Sequence, residues 1–332
     1  MNKIDSDTWS KLDESSLIGE QLAARRALPG ITDHLYCAID SSGTRHLLIQ
    51  LKPEEDELHD AQSRGLAVDS RDMVVQGQPP TKYIDIECRD ISGHSILDLI
   101  GGEIADGLAD EKRQPADLVK RVLTKWRRFW GQLPQQILSR DEQIGLFAEL
   151  WFLVVWLLPK FGSDVVLTWR GPWASRHDFE WPDKSVEVKA TTSTRGRIHT
   201  IHGITQLEEP ETGPLFLFSV CLREESGATD SLPGLIENCR KLINGSDEAL
   251  NRFENALVKV GYSPLFQDEY EKLKLRVVEG ALFRVSKDFP KIITTSFPSG
   301  MPLGVEQLDY EINLNTFGHL IVSNNPDAYQ FE

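Results

Sequence analysis

The chain has 332 residues, of which 40 % are hydrophobic and 26 % charged. That balance buries a core, and it excludes wholesale disorder and collagen-like or low-complexity architecture. The net charge is −15, which argues against nucleic acid, but the charge is uneven. Residues 113–200 carry 14 basic and 9 acidic side chains, between flanks of 11 and 22 (1–112) and of 11 and 20 (201–332). One positive segment between two acidic ones points to a polyanion partner or to chance clustering. The length suits roughly two domains of ~150 residues. The first twenty residues hold no apolar run and no cleavage pattern, so no secretory signal is expected. Cys37, Cys88, Cys221 and Cys239 are widely spaced, which argues against a disulfide framework and for a cytoplasmic protein. The longest apolar run, Leu150–Leu158, falls short of the ~20 residues a bilayer requires, so a buried helix and no membrane contact are expected.

The N-terminal third reads as β-rich. Leu35–Asp40 and Arg45–Leu51 flank a Ser41-Ser42-Gly43 turn, and 66–68, 73–75 and Tyr83–Cys88 are further short strands. Helical spacing follows over His94–Gly107, and the polar stretch Asp106–Arg113 is a candidate boundary. Pro115 opens a helix over Ala116–Trp130. A second helix is predicted from Asp141 to Leu158, capped by Ser139 or Asp141 and ended by Pro159. Strands are predicted at Val165–Trp169, His177–Trp181, Ser185–Thr191, Ile198–Gln206 and Pro214–Arg223, then helices at Ser231–Ile243 and Asp247–Val260. Residues 274–322 return to strand-like runs. The class is α/β (α+β). Three regions are expected: a β-rich domain over 1–112, helices plus a core over 113–223 with an extension to about residue 290 as an open option, and a C-terminal helical and β extension over 224–332.

The chemistry-bearing stretch is 175–191. A hairpin centred on Pro182-Asp183 pairs positions whose numbers sum to 365, so Trp181 faces Lys184, Glu180 faces Ser185 and Asp178 faces Glu187. The two-residue strand period puts Glu187 and Lys189 on that same face and Val186, Val188 and Ala190 on the other. Two adjacent carboxylates call for a cation, and hard oxygen ligands suit Mg²⁺ or Mn²⁺. A neighbouring lysine orients water and stabilises charge on a phosphate. The bland alternative is a solvated strand face with a Glu/Lys pair. There is no HExxH, no Gly-rich phosphate loop and no GxSxG, which leaves zinc hydrolysis, ATPase and serine-hydrolase readings without support.

Asp178…Glu187-Val188-Lys189 resembles the signature of the PD-(D/E)XK nuclease superfamily. More closely, the chain resembles a group of bacterial "PD-(D/E)XK motif" proteins found near restriction and phage-defence genes. The resemblance implies a restriction-endonuclease-like core, a mixed central sheet flanked by helices, over about 141–223. It implies Asp178 and Glu187 as metal-binding acids, the Val188 carbonyl as a further ligand and Lys189 as the catalytic lysine. Glu149, the lone charge between Ala148 and Leu150, matches an acid on the preceding helix; a helix-surface residue is the alternative, and Glu142 lies seven residues earlier. Gln206 matches a glutamine that often follows the motif. Thr191, Ser193, Arg195 and Arg197 follow Lys189 and suit a phosphate-lined groove or an ordinary polar loop. Trp169, Arg170 and Trp173, and Arg127 and Arg128 beside Trp126 and Trp130, stack on bases or fill a core.

Two features depart from the pattern: His177 stands where the motif has proline, and no helix is legible directly after Lys189. The implied function is Mg²⁺- or Mn²⁺-dependent hydrolysis of DNA phosphodiester bonds in a restriction-like or anti-phage system, with other defence proteins as partners and a homodimer as an open option. A non-cleaving nucleic-acid-binding or scaffold subunit is the alternative, as is an RNase with the same site. The flanking acidic regions would then supply target recognition or partner contacts.

Overall fold

The computed structural model describes residues 2–12, 17, 21–52, 54, 55, 57–59, 65–74, 79–110, 114–127, 136–243 and 245–327. The expected strand end at residue 75, the boundary residues 111–113, and Arg128 and Trp130 with the Arg127 side chain lie outside the described residues. The chain divides into two compact units, 1–133 and 134–332.

In the first unit a short helix α1 (Ser6–Ser10) precedes strands β1 (Ala23–Arg26), β2 (Leu35–Ile39), β3 (Arg45–Gln50), β4 (Leu66–Met73) and β5 (Thr81–Cys88). They form an antiparallel sheet in the order β1-β2-β3-β5-β4. The expected β2–β3 hairpin is present, and Asp40 shapes its turn by accepting from the Ser42 and Thr44 N–H groups, both at 2.8 Å. Residues 66–68 and 73 belong to one strand, β4, rather than two. Cys37, Leu47, Ile49, Ile84 and Ile86 share one face by register and are fully buried. Helix α2 (His94–Leu108) lies against β3, and Gly101 lets Ile4 and Leu47 approach its backbone. Helix α3 (Pro115–Arg127) packs on α2, where Glu103 accepts from Lys125 Nζ at 3.0 Å and from Trp126 Nε1 at 2.9 Å. These bonds keep α3 in the first unit, so the division falls after residue 133 rather than at 112.

The second unit opens with α4 (Arg140–Phe152), capped by Ser139 as expected, in a reciprocal box with Glu142. The helix does not stop at Pro159. It passes through a π turn over Leu153–Leu157, whose wide bond runs from Leu158 N–H to the Leu153 carbonyl, and continues as α5 (Leu158–Phe161). Pro159 cannot donate to the carbonyl four residues back and its ring crowds that turn; the wide π turn accommodates it. The joined stretch Arg140–Phe161 is long and apolar enough by composition to cross a membrane, so the run-length reading understated it. Just over half of its apolar window is buried.

Strands β6 (Phe179–Trp181), β7 (Lys184–Thr191), β8 (Ile198–His202) and β9 (Leu215–Glu224) follow, then α6 (Leu232–Leu242), α7 (Asp247–Lys259), α8 (Gln267–Tyr270), β10 (Leu275–Arg284), β11 (Asp309–Asn313) and β12 (Ile321–Ser323). The mixed sheet runs β12-β10-β9-β7-β6, with β7 and β9 parallel and the other neighbours antiparallel. Val165–Trp169, expected as a strand, is mostly a 3₁₀ turn over Ser163–Thr168; Trp169 alone forms a bridge, to Phe179. The α+β architecture is that of a restriction-endonuclease-like fold. Strand β10 is integral to the sheet, within the option of a core that extends to about residue 290.

Both sheet faces are covered, which explains the unbroken apolar run of β9. On one face Phe152 of α4 meets Phe218 and Phe179, with ring centroids 4.5 and 5.3 Å apart, and Trp156 meets Phe218 at 5.1 Å. On the other, Leu215 and Leu217 pack with Ile201 of β8, Ile312 of β11 and Phe283. The link from β7 to its parallel neighbour β9 thus runs through β8, paired with β11, where a helix was the superfamily expectation.

Candidate active site

The β6–β7 register is the one the hairpin arithmetic predicts: Trp181 opposite Lys184, Glu180 opposite Ser185 and Phe179 opposite Val186. The ladder ends there, one residue after Asp178. With no strand partner on that edge, the Val188 N–H donates to Asp178 Oδ2 at 2.8 Å. The N–H and carbonyl of one strand residue point to the same edge, so the Val188 carbonyl faces the Asp178 side as well. The Asp178 carbonyl accepts from the N–H groups of Arg170 (2.7 Å) and Gly171 (3.0 Å), which fixes the preceding turn against it.

Glu187 is 2 % exposed, so its position is not a solvated strand face. Its Oε1 lies 2.8 Å from Lys189 Nζ, the one cation within ion-pair distance of it among the described residues. Glu149 comes from α4, the helix that covers the Phe218 face, and its Oε2 accepts from the Nε1–H of fully buried Trp169 at 2.7 Å. A Cβ placed on Gly171 would sit 2.9 Å from Asp178 Oδ1 and 3.1 Å from Glu149 Oε2. Two carboxylate oxygens therefore converge on a backbone position that only glycine leaves open. Glu142 is not part of this group; it belongs to the α4 cap.

The electrostatics follow from burial. Glu149 is held well above the usual carboxylate range, first by burial and then by Asp178, with the Trp169 hydrogen bond opposing. Burial raises Asp178 too, against the pull of Lys189 and the Val188 N–H. Burial and Asp178 push Glu187 up to about 8 despite Lys189. Burial works against the Lys189 charge, yet Glu187 and Asp178 more than offset it and the ammonium is held charged. Three carboxyl groups thus surround one lysine and repel one another.

The donors suit a small hard cation. All are oxygens, and Asp178 Oδ1 and Glu149 Oε2 both approach the Gly171 backbone where a Cβ would sit. Among the described residues no three His, Cys, Asp or Glu side chains close on one point. Mg²⁺ does not need that, since it uses one or two carboxylates and keeps several waters.

The residues expected to line a phosphate groove divide. Thr191 Oγ1 accepts the Ser193 N–H and Ser193 Oγ accepts the Arg195 N–H, each at 3.1 Å, so both hydroxyls shape the turn. Arg195 is exposed. Arg197 does not face solvent: it is 8 % exposed, its Nη1 donates to Ser219 O and Oγ at 2.9 Å, and Nη2 lies 3.2 Å from Glu279. The reading of Arg197 as a phosphate contact is therefore corrected, because its charge is consumed between β9 and β10. Gln206 accepts the His202 N–H at 2.9 Å in the turn after β8, with no bond to the carboxylates among the described residues. Trp169 proves to be the partner of Glu149, which no spacing rule reveals across 20 residues. Gly171 was not singled out; its signal in the sequence is a glycine-proline turn between two tryptophans.

No curated protein and no solved structure matches the chain. A family model does, over residues 6–315: DUF4420, described as "Putative PD-(D/E)XK family member". That span takes in α4, the β6–β7 hairpin and the carboxylate–lysine group, and the chain belongs to this PD-(D/E)XK-type family.

Proposed function

We propose that the protein is a divalent-metal-dependent nuclease that hydrolyses DNA phosphodiester bonds. The observation that carries this reading is the Asp178–Glu187–Lys189 group with Glu149, in which three buried carboxyl groups share one ammonium. Carboxyl groups that keep their protons because of burial and mutual repulsion can exchange them for a cation. Asp178, Glu187 and the Val188 carbonyl would hold it. When bound, Mg²⁺ or Mn²⁺ supplies Lewis-acid stabilisation of phosphate charge and a more acidic water.

The protein's own groups do the rest. The Val188 N–H and the Trp169 indole orient Asp178 and Glu149, so that Oδ1 of one and Oε2 of the other face the Gly171 gap. Lys189, tethered to Glu187, positions a water and places positive charge where it builds up on the phosphate. Water adds to phosphorus, the phosphorus–oxygen ester bond breaks, and the leaving oxygen takes up a proton. The family resemblance favours a bacterial restriction-like or anti-phage setting.

Incubation of the purified protein with supercoiled plasmid and Mg²⁺ or Mn²⁺ tests the reading. Nicked or linear product is expected, absent with chelator and absent in Asp178→Ala and Lys189→Ala. Cleavage that persists in both variants would refute it.

A further inference from the structure

The carboxylate group cannot by itself attract a polyanion, and Arg197 is consumed internally, so positive charge has to reach the substrate from elsewhere. The turn that closes on Asp178 carries it. Arg170 lies one residue before Gly171, and its N–H is bonded to the Asp178 carbonyl. Its side chain is exposed and has no hydrogen-bond or ion-pair partner among the described residues. Helix α7 packs against the same Gly171–Trp173 turn and brings Arg252 to it. The Arg252 guanidinium lies over the Trp173 ring, 3.1 Å from the centroid, and its Nη2 is buried with no hydrogen-bond partner.

The two arginines feel each other: burial and the Arg170 charge both pull the Arg252 group down from its ordinary value. Neither makes an ion pair with Glu149, Asp178 or Glu187, although the turn they flank is bonded to Asp178. Folding has therefore placed two like charges together, one of them over an indole ring, with no carboxylate in ion-pair distance of either among the described residues. A guanidinium fork held in this way suits the oxygens of a phosphate.

We infer that Arg170 and Arg252, with Trp173 as a platform, form a phosphate-binding site for the nucleic-acid backbone beside the carboxylate–lysine group. This rests on the nuclease reading and deepens it. Because the guanidiniums leave the acids free, the phosphate they take is one flanking the cleaved bond, and the pair fixes the strand's path across Gly171. The contact is to the backbone and carries no base preference.

The test is salt-dependent binding of duplex oligonucleotides to the full chain carrying Asp178→Ala, which removes cleavage from the readout. Arg170→Ala is expected to weaken binding about tenfold, alike across unrelated sequences. It should also reduce the slope of log affinity against log salt by about 0.9. Adding Arg252→Ala should reduce the slope further, to a total loss of at most about two, while Arg170→Lys retains the slope and loses part of the affinity. Arg170 is exposed and unpaired, so its variant tests the site whatever Arg252→Ala does to folding. An unchanged slope in Arg170→Ala, in a protein that binds and whose parent cleaves DNA, overturns this inference and leaves the nuclease reading standing. A protein with neither binding nor cleavage overturns both.

Discussion

In the first unit Asp85, 1 % exposed, gives one oxygen to His46 Nδ1 at 2.8 Å, while Arg71 Nε lies 3.7 Å from its other oxygen and Asp40 lies 3.8 Å from His46 Nε2. In the second unit Glu149, Asp178 and Glu187 share Lys189. Both groups centre on a buried strand carboxylate, Asp85 in one and Glu187 in the other, yet their surroundings differ. Asp85 has a basic side chain within 4 Å of each oxygen, His46 and Arg71, and Asp40 and Asp69 lie beside those two in turn, all from this unit. Around Glu187 three acids face one ammonium, and two of them crowd a position that a Cβ on Gly171 would contest. A buried ionic group that neutralises itself holds the fold together; one that does not is poised for an external charge.

The largest expected effect separates the two directly. Asp178→Ala should lower DNA cleavage by about 1,000-fold or more, since it removes an oxygen from the centre of the reaction. His46→Ala should leave the cleavage rate within about twofold, because that group serves the fold. Plasmid cleavage under matched conditions reads both, and a large loss in His46→Ala would erase the distinction. Glu149→Gln comes next, with about 100-fold lower activity and a more stable metal-free protein above pH 7. Removing one of three repelling carboxylates should raise Tm, by about 2–4 °C for each kcal/mol relieved. His46→Ala should do the opposite and cost about 2–3 kcal/mol, since it strands Asp85. Denaturant melts of the two variants side by side check the opposed signs, and a destabilised Glu149→Gln would mean that this acid is a packing element.

A smaller effect is expected at Gly171→Ala, whose Cβ would push on Asp178 Oδ1 and Glu149 Oε2. Activity should fall roughly tenfold with Tm changed by only a few degrees. Unchanged activity would mean that the gap is not used.

The pH dependence is subtler. Glu187 sits at about 8 in the folded chain against 4.5 unfolded, so the folded state binds more protons across that window. The stability of the metal-free protein should therefore fall as pH rises from about 4.5 through 8, with the raised Glu149 and Asp178 adding in the same direction. Mn²⁺ should restore more stability at pH 8 than at pH 6, since it competes with those protons. Thermal melts at the two values check this; equal Mn²⁺ stabilisation at both would argue against metal at the carboxylates.

What the sequence makes legible here is whatever is local. The hairpin register follows from one turn at Pro182-Asp183 and a period of two; it holds for Trp181–Lys184 and Glu180–Ser185, and the ladder ends before the expected Asp178–Glu187 pair. The cap of α4 follows from Ser139 and Glu142 three residues apart. Contacts that depend on distant segments are not legible. Arg197 reads as a loop cation after Lys189 but is captured by Ser219 and Glu279, which reach it only once β9 and β10 pair. Trp169 reads as core or as a base platform, and it meets Glu149 because the 3₁₀ turn before it replaces the expected strand. The His46–Asp85 pair left no signal, since it joins strands 39 residues apart.

The central claim is that Asp178 and its neighbours form a cation site whose charge the chain leaves unmatched. Isothermal titration of the purified protein with Mn²⁺ at pH 7.5, repeated in two buffers of different ionisation enthalpy, tests it most directly. Wild type should bind with release of protons, because carboxyl groups held above their ordinary range must give them up. Asp178→Ala should lose the binding, and His46→Ala should keep it. Equal Mn²⁺ binding by wild type and Asp178→Ala, with no dependence on buffer, would contradict the account.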